Sequence, residues 1–168
     1  MSKGGNLTLN VSPDARGHVD AETHRILDEV GQWLLKNGES VYGCGMADCP
    51  KPEWGRFTQN GRVLYAHILE QVMGHINMPG MRGRIKNGRT VAQGAEVSVC
   101  DFWNPGVQTF DEPDDIFFNF RHPVALTYPL ADRRDTVVKF ELTSEAERLQ
   151  LLEQYREQFV RATTPRER

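Results

Sequence analysis

Apolar and polar residues alternate near the start of the chain, over residues 7–11. Such alternation is typical of a short β-strand, which would place Leu7, Leu9 and Val11 on one face. We expect the strand to end at the Ser-Pro-Asp sequence of residues 12–14, because proline fixes φ and has no amide hydrogen to donate. The chain is therefore predicted to open with a strand and a turn.

After Gly17 the apolar residues take up a helical period. The apolar stripe consists of Ile26, Leu27, Val30, Trp33 and Leu34. Asp20 is a suitable N-cap, and Lys36 followed by Gly38 is typical of a helix end. The strand, the turn and this helix together would form half of a βαβ unit.

Residues 39–142 have the pattern of short strands. The Asn-Gly pair at residues 60–61 lies between two strand-like runs and predicts a hairpin, and a second Asn-Gly pair at residues 87–88 predicts another turn. Further strands are predicted at residues 63–69, 95–99, 116–120 and 136–142. Short strands separated by Gly, Pro and Asn favour an antiparallel β-sandwich.

The last part of the chain returns to a helical pattern. Ser144 and Glu147 have the spacing of a capping box, and one apolar face follows, formed by Leu152, Tyr155, Phe159 and Ala162. The predicted fold is therefore mostly β: an antiparallel β-sandwich preceded by one β/α unit and followed by a C-terminal amphipathic helix.

Several stretches of this sequence resemble one known family. Residues 5–17 read Gly-Asn-Leu-x-Leu-Asn-Val-x-Pro-Asp-x-x-Gly, and similar matches follow at residues 29–34, 37–43, 51–58, 64–67 and 114–120. Together they resemble the α-L-fucosidases of glycoside hydrolase family 29, in the same order, over residues 3–142.

The resemblance implies a particular domain organisation. Residues 1–43 would be the last strand and helix of a catalytic (β/α)8 barrel, residues 44–142 the C-terminal β-sandwich, and residues 143–168 a helix and tail. A complete barrel takes about 250 residues, whereas the chain has 168. The family's aspartate nucleophile and glutamate acid/base lie on earlier barrel strands, so the resemblance implies no catalytic residue in this chain.

Three functions are consistent with this resemblance. The first is the C-terminal fragment of an α-L-fucosidase, a retaining exo-glycosidase that removes α-L-fucose from glycans, with no activity on its own. The second is an α-L-fucosidase that is still active through a site built by an oligomer. The third is a non-catalytic carbohydrate-binding module that uses exposed aromatic residues such as Trp54 or Trp103.

A few residues are candidates for contact with a sugar. In a complete homologue Asn10, Ser12, Pro13 and Asp14 would lie near the catalytic face and could form the rim of the substrate pocket. Asp14 has the alternative role of a turn former. Trp54 could stack on a sugar ring or pack in the core.

Composition and charge limit which partners and which cellular location we expect. The net charge is −3, which gives no indication of a nucleic-acid partner. Apolar runs stay far below the roughly 18 residues that span a bilayer, and residues 1–5 have no apolar signal-peptide region. The chain as given is expected to be cytoplasmic, with no membrane contact, and the location of any longer parent protein is open.

The three cysteines are Cys44, Cys49 and Cys100. We expect free thiols, and a Cys44–Cys49 disulfide in their shared loop is the alternative. The cysteine spacing does not suit zinc, and the acidic residues 111–115 lack the spacing of an EF-hand loop. The sequence therefore predicts no metal site and no cofactor.

A single barrel strand poses a physical problem. Without neighbours, residues 7–11 would expose unpaired N–H and C=O groups, and the following helix would lack the sheet that it is patterned to cover. Besides fucosylated glycans, implied by the resemblance, we therefore expect a second copy of the chain as a partner. The contact would run through residues 7–34 or through the C-terminal helix.

Overall fold

The computed structural model describes residues 1–100, 114–121 and 130–163, with the backbone alone for residues 155–163. Helix α1 (Ala21–Asn37) comes first and helix α2 (Glu145–Thr163) comes last. Between the helices, the described part of the chain forms β1 (Gly45–Met46), β2 (Gly55–Asn60), β3 (Val63–Ile68), β4 (Ile76–Met78), β5 (Ile85–Thr90), β6 (Ser98–Cys100), β7 (Ile116–Asn119) and β8 (Thr136–Leu142). The fold is mostly β, which confirms the predicted class.

The strands form two antiparallel sheets. One sheet has the order β1-β2-β3-β8-β5, and the other has the order β4-β7-β6. Strand β8 pairs with β3 through residues 136–141, so a strand near the end of the chain lies inside the larger sheet, between β3 and β5. This long-range pairing makes the sheet a single unit.

The hydrophobic core lies between the two sheets. Phe118 of β7 and Phe140 of β8 are both fully buried, and their rings meet edge to face with centroids 5.1 Å apart. Other core residues from both sheets are Phe57, Leu64, Ala66, Ile68, Ile76, Met78, Ile85, Ile116, Val138 and Leu142. Alternate residues of each sheet thus face the opposite sheet, which is the arrangement of a β-sandwich.

One of the two Asn-Gly pairs forms the predicted turn and the other does not. Asn60 and Gly61 lie at the predicted hairpin between β2 and β3, where Gly61 has a φ of +56°. The predicted turn at residues 87–88 is wrong, because both residues lie inside β5. A Cβ at Gly88 would come within 2.5 Å of the Phe140 ring and 2.7 Å of Val97. Gly88 therefore makes room for a core ring.

The predicted strand at residues 7–11 is also absent from the structure. This segment has no strand assignment, and the side chains of Leu7 and Leu9 are 83% and 61% exposed. A strand is stable only when another strand satisfies its N–H and C=O groups. The alternation is present in the sequence, but no strand in the described structure lies beside it.

Both helices begin at the caps that the sequence predicts. The carboxylate of Asp20 accepts a hydrogen bond from the Thr23 amide at 2.9 Å, and Glu22 lies in the first turn of α1. At the start of α2, Glu147 accepts a hydrogen bond from the Ser144 amide at 2.7 Å, while the Ser144 hydroxyl accepts one from the Glu147 amide at 3.3 Å. These bonds satisfy amides that would otherwise have no partner.

Strand β3 is covered on both faces. Leu64 and Ile68 face the core, whereas Tyr65 and His67 point to the outer face of the larger sheet and are nevertheless buried. Contacts from Trp33 of α1 and from the short 3-10 turn Gly38–Ser40 account for this burial. The helix is thereby joined to the sandwich at one place.

Candidate functional site

The four predicted rim residues lie in the exposed segment before α1. Ser12, Pro13 and Asp14 line a shallow depression of about 300 Å³, together with the chain around Val19. Asn10 is exposed and is not among the residues that line this depression. The structure therefore brings three of the four residues together at the surface.

Asp14 is engaged in a local turn. One carboxylate oxygen accepts hydrogen bonds from the Arg16 amide at 2.8 Å and from the His18 amide at 2.9 Å. The side chain is 55% exposed. A general acid in a glycosidase needs surroundings that shield it from water. In this structure Asp14 therefore acts as a turn former.

Trp54 is a core residue. It is 5% exposed, and its ring meets Phe57 and Phe118 edge to face with centroids 5.6 and 6.0 Å away. Its indole N–H donates to the carbonyl oxygen of Asn77 at 2.7 Å. A ring held in this way has no free face for a sugar. Trp103, the other aromatic candidate, lies outside the described residues.

A polar network joins α1 to the sandwich. Nδ1 of His67 lies 2.8 Å from Oδ2 of Asp135, and Nε2 of His67 lies 3.1 Å from the hydroxyl of Thr58. The Thr58 hydroxyl also donates to the carbonyl oxygen of Ser40 at 2.6 Å. The indole N–H of Trp33 donates to the carbonyl oxygen of Asp135 at 3.2 Å, and its ring lies 6.3 Å from the His67 ring. We call these five residues the junction.

The hydrogen-bond partners orient the ring of His67. A carboxylate can only accept, so Nδ1 donates to Asp135. Nε2 faces the Thr58 hydroxyl, whose oxygen also lies 2.6 Å from the carbonyl oxygen of Ser40. The ring is thereby held at both nitrogens, with the Nδ1 proton assigned from its partner.

A second set of contacts supports the junction from the 3-10 turn. Glu39 forms an ion pair with Lys139 of β8 at 2.8 Å and accepts a bond from the Tyr65 hydroxyl at 3.4 Å. Burial and the negative charge of Glu39 raise the pKa of Tyr65 to about 12. Tyr65 therefore stays protonated in the physiological range and serves as a hydrogen-bond donor.

A groove of about 670 Å³ lies between α1 and residues 131–137, beside the junction. Val30, Trp33 and Asn37 of α1 line it together with Asp135. Oδ1 of Asn37 and Oδ1 of Asp135 are buried, and neither has a hydrogen-bond donor within the described residues. A buried acceptor without a donor costs about 1–3 kcal/mol. We call this feature the α1 groove.

A cysteine, a histidine and an asparagine meet near the smaller sheet. Sγ of Cys100 lies 3.2 Å from Nδ1 of His75, and Nδ2 of Asn119 lies 3.4 Å from Nε2 of the same ring. Oδ1 of Asn119 accepts from the Arg121 amide at 2.7 Å, so its NH₂ group faces His75. These contacts place the Asn119 NH₂ group against Nε2 and the Cys100 sulfur against Nδ1 of the ring.

The remaining sequence expectations concern metals, thiols and membranes. In the parts of the chain that the structure describes, no three His, Cys, Asp or Glu side chains gather in a way that could hold a metal ion. Cys44, Cys49 and Cys100 form no disulfide, and burial raises the pKa of Cys49 to about 11. No helix within these same residues is long and apolar enough to span a bilayer.

Sequence reasoning missed the junction. His67 and Asp135 are 68 positions apart in the chain, and nothing in their local sequence links them. The available signal was a polar histidine inside an apolar strand, which implies a buried partner.

Comparisons with known proteins agree with this fold. The family model described as alpha-L-fucosidase matches residues 1–39. An α-L-fucosidase of Dictyostelium discoideum is 48% identical over 40 residues, which are 24% of this chain and 9% of that protein.

Solved structures extend the likeness to most of the chain. Alpha-L-fucosidase isoenzyme 1 of Paenibacillus thiaminolyticus is 44% identical, with a TM-score of 0.74, over 85% of this chain. A family 29 α-L-fucosidase of Bacteroides thetaiotaomicron has a TM-score of 0.68 at 19% identity over 85% of this chain, so it supports the fold alone. The chain spans 32% and 30% of these two proteins. In sequence and in fold, the chain is thus similar to the C-terminal portion of the α-L-fucosidases of glycoside hydrolase family 29.

Proposed function

We propose that these 168 residues form the C-terminal part of an α-L-fucosidase and do not hydrolyse fucosides by themselves. In this proposal the bond-breaking groups lie on barrel segments outside the chain. The chain supplies the β-sandwich and the helix that such a barrel packs against. The substrates of the complete enzyme would be glycans that carry α-L-fucose.

The observation that carries this proposal is the burial and hydrogen bonding of the carboxylates. Among the described residues, Asp115 is the one buried carboxylate, at 8% exposure, and both of its oxygens accept hydrogen bonds. They accept from the Asn77 amide group at 2.9 Å and from the Gly80 amide at 3.0 Å. A retaining glycosidase needs two carboxyl groups about 5–5.5 Å apart that are free to react. A carboxylate fixed in this way does not suit that task.

Other carboxylates support the same conclusion. Asp14 holds a turn, Asp20 caps α1, and Asp135 pairs with His67. Each has a structural partner that explains its position. The share of the Paenibacillus thiaminolyticus enzyme that the chain spans, 32%, leaves most of such an enzyme for the catalytic groups.

An aryl α-L-fucoside tests the proposal. The pure chain, produced in a host without fucosidase, should release no chromophore above the rate of a blank. Asp14→Asn serves as the matched control, because it changes the one candidate carboxylate near the predicted rim. Release of chromophore by the wild-type chain that Asp14→Asn abolishes would overturn the proposal and would establish an active site within these residues.

A further inference from the structure

The smaller sheet brings together three side chains that the proposed function does not use. Cys100 is the last residue of β6, Asn119 is the last residue of β7, and His75 directly precedes β4. Strand β7 pairs with both of the other strands, which holds these positions side by side. We call these three residues the thiol cluster.

Two nitrogen atoms approach the sulfur of Cys100. Nδ1 of His75 lies 3.2 Å from Sγ, and Nδ2 of Asn119 donates to Sγ at 3.8 Å. Oδ1 of Asn119 accepts from the Arg121 amide, so the partners direct the NH₂ side of Asn119 toward the cluster. An imidazole nitrogen at this distance either takes the proton of the thiol or donates a hydrogen bond to the thiolate. Both arrangements favour loss of the thiol proton.

Burial fixes the two partners and leaves the sulfur partly open. His75 is 3% exposed and Asn119 is 4% exposed, whereas Cys100 is half-buried. His75 also lines a depression of about 280 Å³ together with Glu53 and Glu70. Carboxylates near a histidine favour positive charge on its ring, and a positive ring favours a thiolate beside it. A small reagent in solution therefore meets a sulfur whose surroundings favour the reactive form.

The surroundings of Cys44 and Cys49 have the opposite effect. Sγ of Cys44 donates to the carbonyl oxygen of Glu39 at 3.3 Å. Burial raises the pKa of Cys44, with a smaller contribution from the negative charge of Glu39, and burial raises the pKa of Cys49 to about 11. Thiols with a raised pKa contain little thiolate at neutral pH and react slowly. These two cysteines are therefore internal references for Cys100.

We propose that Cys100 is an oxidation site at which hydrogen peroxide converts the thiol to a sulfenic acid. The thiolate sulfur attacks one oxygen of the peroxide, so an S–O bond forms while the O–O bond breaks. The sulfur loses two electrons and the peroxide gains them. The departing hydroxide takes up the proton that the thiol lost and becomes water. This inference goes beyond the proposed function and does not depend on it, since no sugar takes part.

A probe for sulfenic acid tests the proposal. The purified, reduced chain is treated with hydrogen peroxide in the presence of a cyclic 1,3-diketone, which labels sulfenic acid and leaves methionine sulfoxide unlabelled. Mass spectrometry of the peptides then measures the label at each cysteine. We expect Cys100 to be labelled on the order of ten-fold faster than Cys44 and Cys49. In urea the three rates should become similar, because unfolding removes the surroundings that distinguish the thiols.

His75→Gln and His24→Gln form a matched pair of variants. The first replaces the ring beside the sulfur by a neutral amide, and the second changes an exposed histidine of α1 in the same way. We expect His75→Gln to lower the labelling rate of Cys100 to that of the other two cysteines, and His24→Gln to leave it unchanged. Urea unfolding shows whether each variant is folded. If His75→Gln does not fold, the comparison of the three cysteines in the wild-type chain decides.

The results that would overturn the proposal are specific. Labelling of Cys100 that is no faster than that of Cys44 in the folded chain overturns it. Unchanged labelling of Cys100 in a folded His75→Gln variant also does so, because the sulfur would then not depend on its partner. Oxygen gained at Met73, which is 63% exposed, without diketone label at Cys100 would likewise contradict it. Fast labelling of Cys100 that is lost in urea supports the proposal.

Discussion

Nδ1 of His67 donates a hydrogen bond of 2.8 Å to Oδ2 of Asp135, and this pair joins β3 to the segment that leads into β8. The carbonyl oxygen of the same Asp135 accepts from the indole of Trp33. One residue thus binds a strand through its side chain and a helix through its backbone. The pair therefore supports both the larger sheet and the position of α1.

Replacement of Asp135 by Asn should destabilise the protein. The variant replaces an ionised acceptor by a neutral amide in a largely buried place, where a hydrogen bond to a charged group contributes about 1.5–3 kcal/mol. Asp28→Asn is the control, because Asp28 lines the same groove and is exposed. Urea unfolding measures both free energies of unfolding. Equal values for the two variants would contradict the role of the junction.

Replacement of Gly88 by Ala should also destabilise the protein. The added Cβ would lie 2.5 Å from Phe140, so the core ring or strand β5 must move. Overpacking of this kind costs about 1–3 kcal/mol. Gly45→Ala, also in a strand but with no atom within 4 Å of its added Cβ, should be close to neutral. Thermal unfolding of the two variants checks this, and a neutral Gly88→Ala would show that the core adapts.

The capping box of α2 should make stability depend on pH. The hydrogen bond from the Ser144 amide lowers the pKa of Glu147 below its ordinary value of 4.5. A lowered folded-state pKa adds stability above pH 4.5, and this contribution is lost as the pH falls through the lowered value. Glu147→Gln keeps the box but does not titrate.

The difference in unfolding free energy between wild type and Glu147→Gln should therefore become smaller as the pH falls. Urea midpoints measured from neutral to acid pH give this difference. Glu145→Gln in the same turn is the control, because the Ser144 amide bonds to Glu147 and not to Glu145. A difference that stays constant with pH would argue against the box as the source.

In the absence of another partner, we propose that the chain associates with itself through residues 7–34. Leu9 is 61% exposed and is expected to lie in the contact, whereas Asn10 would face the other side if the segment pairs as a strand. Leu9→Lys should give a monomer by light scattering, while wild type and Asn10→Lys should be larger. A wild-type monomer at high concentration would contradict the proposal.

Local patterns in the sequence determined much of the framework. The caps at Asp20 and Ser144, the hairpin at residues 60–61 and the strand over Thr136–Leu142 all depend on neighbours in the chain. Periodicity and capping are short-range properties, so a single sequence is sufficient to predict them. The resemblance to glycoside hydrolase family 29 added that the chain is similar to the C-terminal portion of such enzymes.

The same local rules gave wrong predictions where the conformation depends on residues that are distant in the chain. The Asn-Gly pair at residues 87–88 has the sequence of a turn but lies in β5, where it pairs with the distant residues 140–141 of β8. Residues 7–11 have the pattern of a strand but no neighbour to pair with. Propensity is a preference that the surroundings can reverse.

The sequence by itself therefore determined the class of fold, the helix boundaries and the family likeness. Only the tertiary structure decided that His67 meets Asp135, that Trp54 is buried, and that α1 keeps half of its stripe bare. The reason is physical: these features depend on which surfaces the folded chain brings together over long separations. A local sequence pattern does not show which distant residues come into contact.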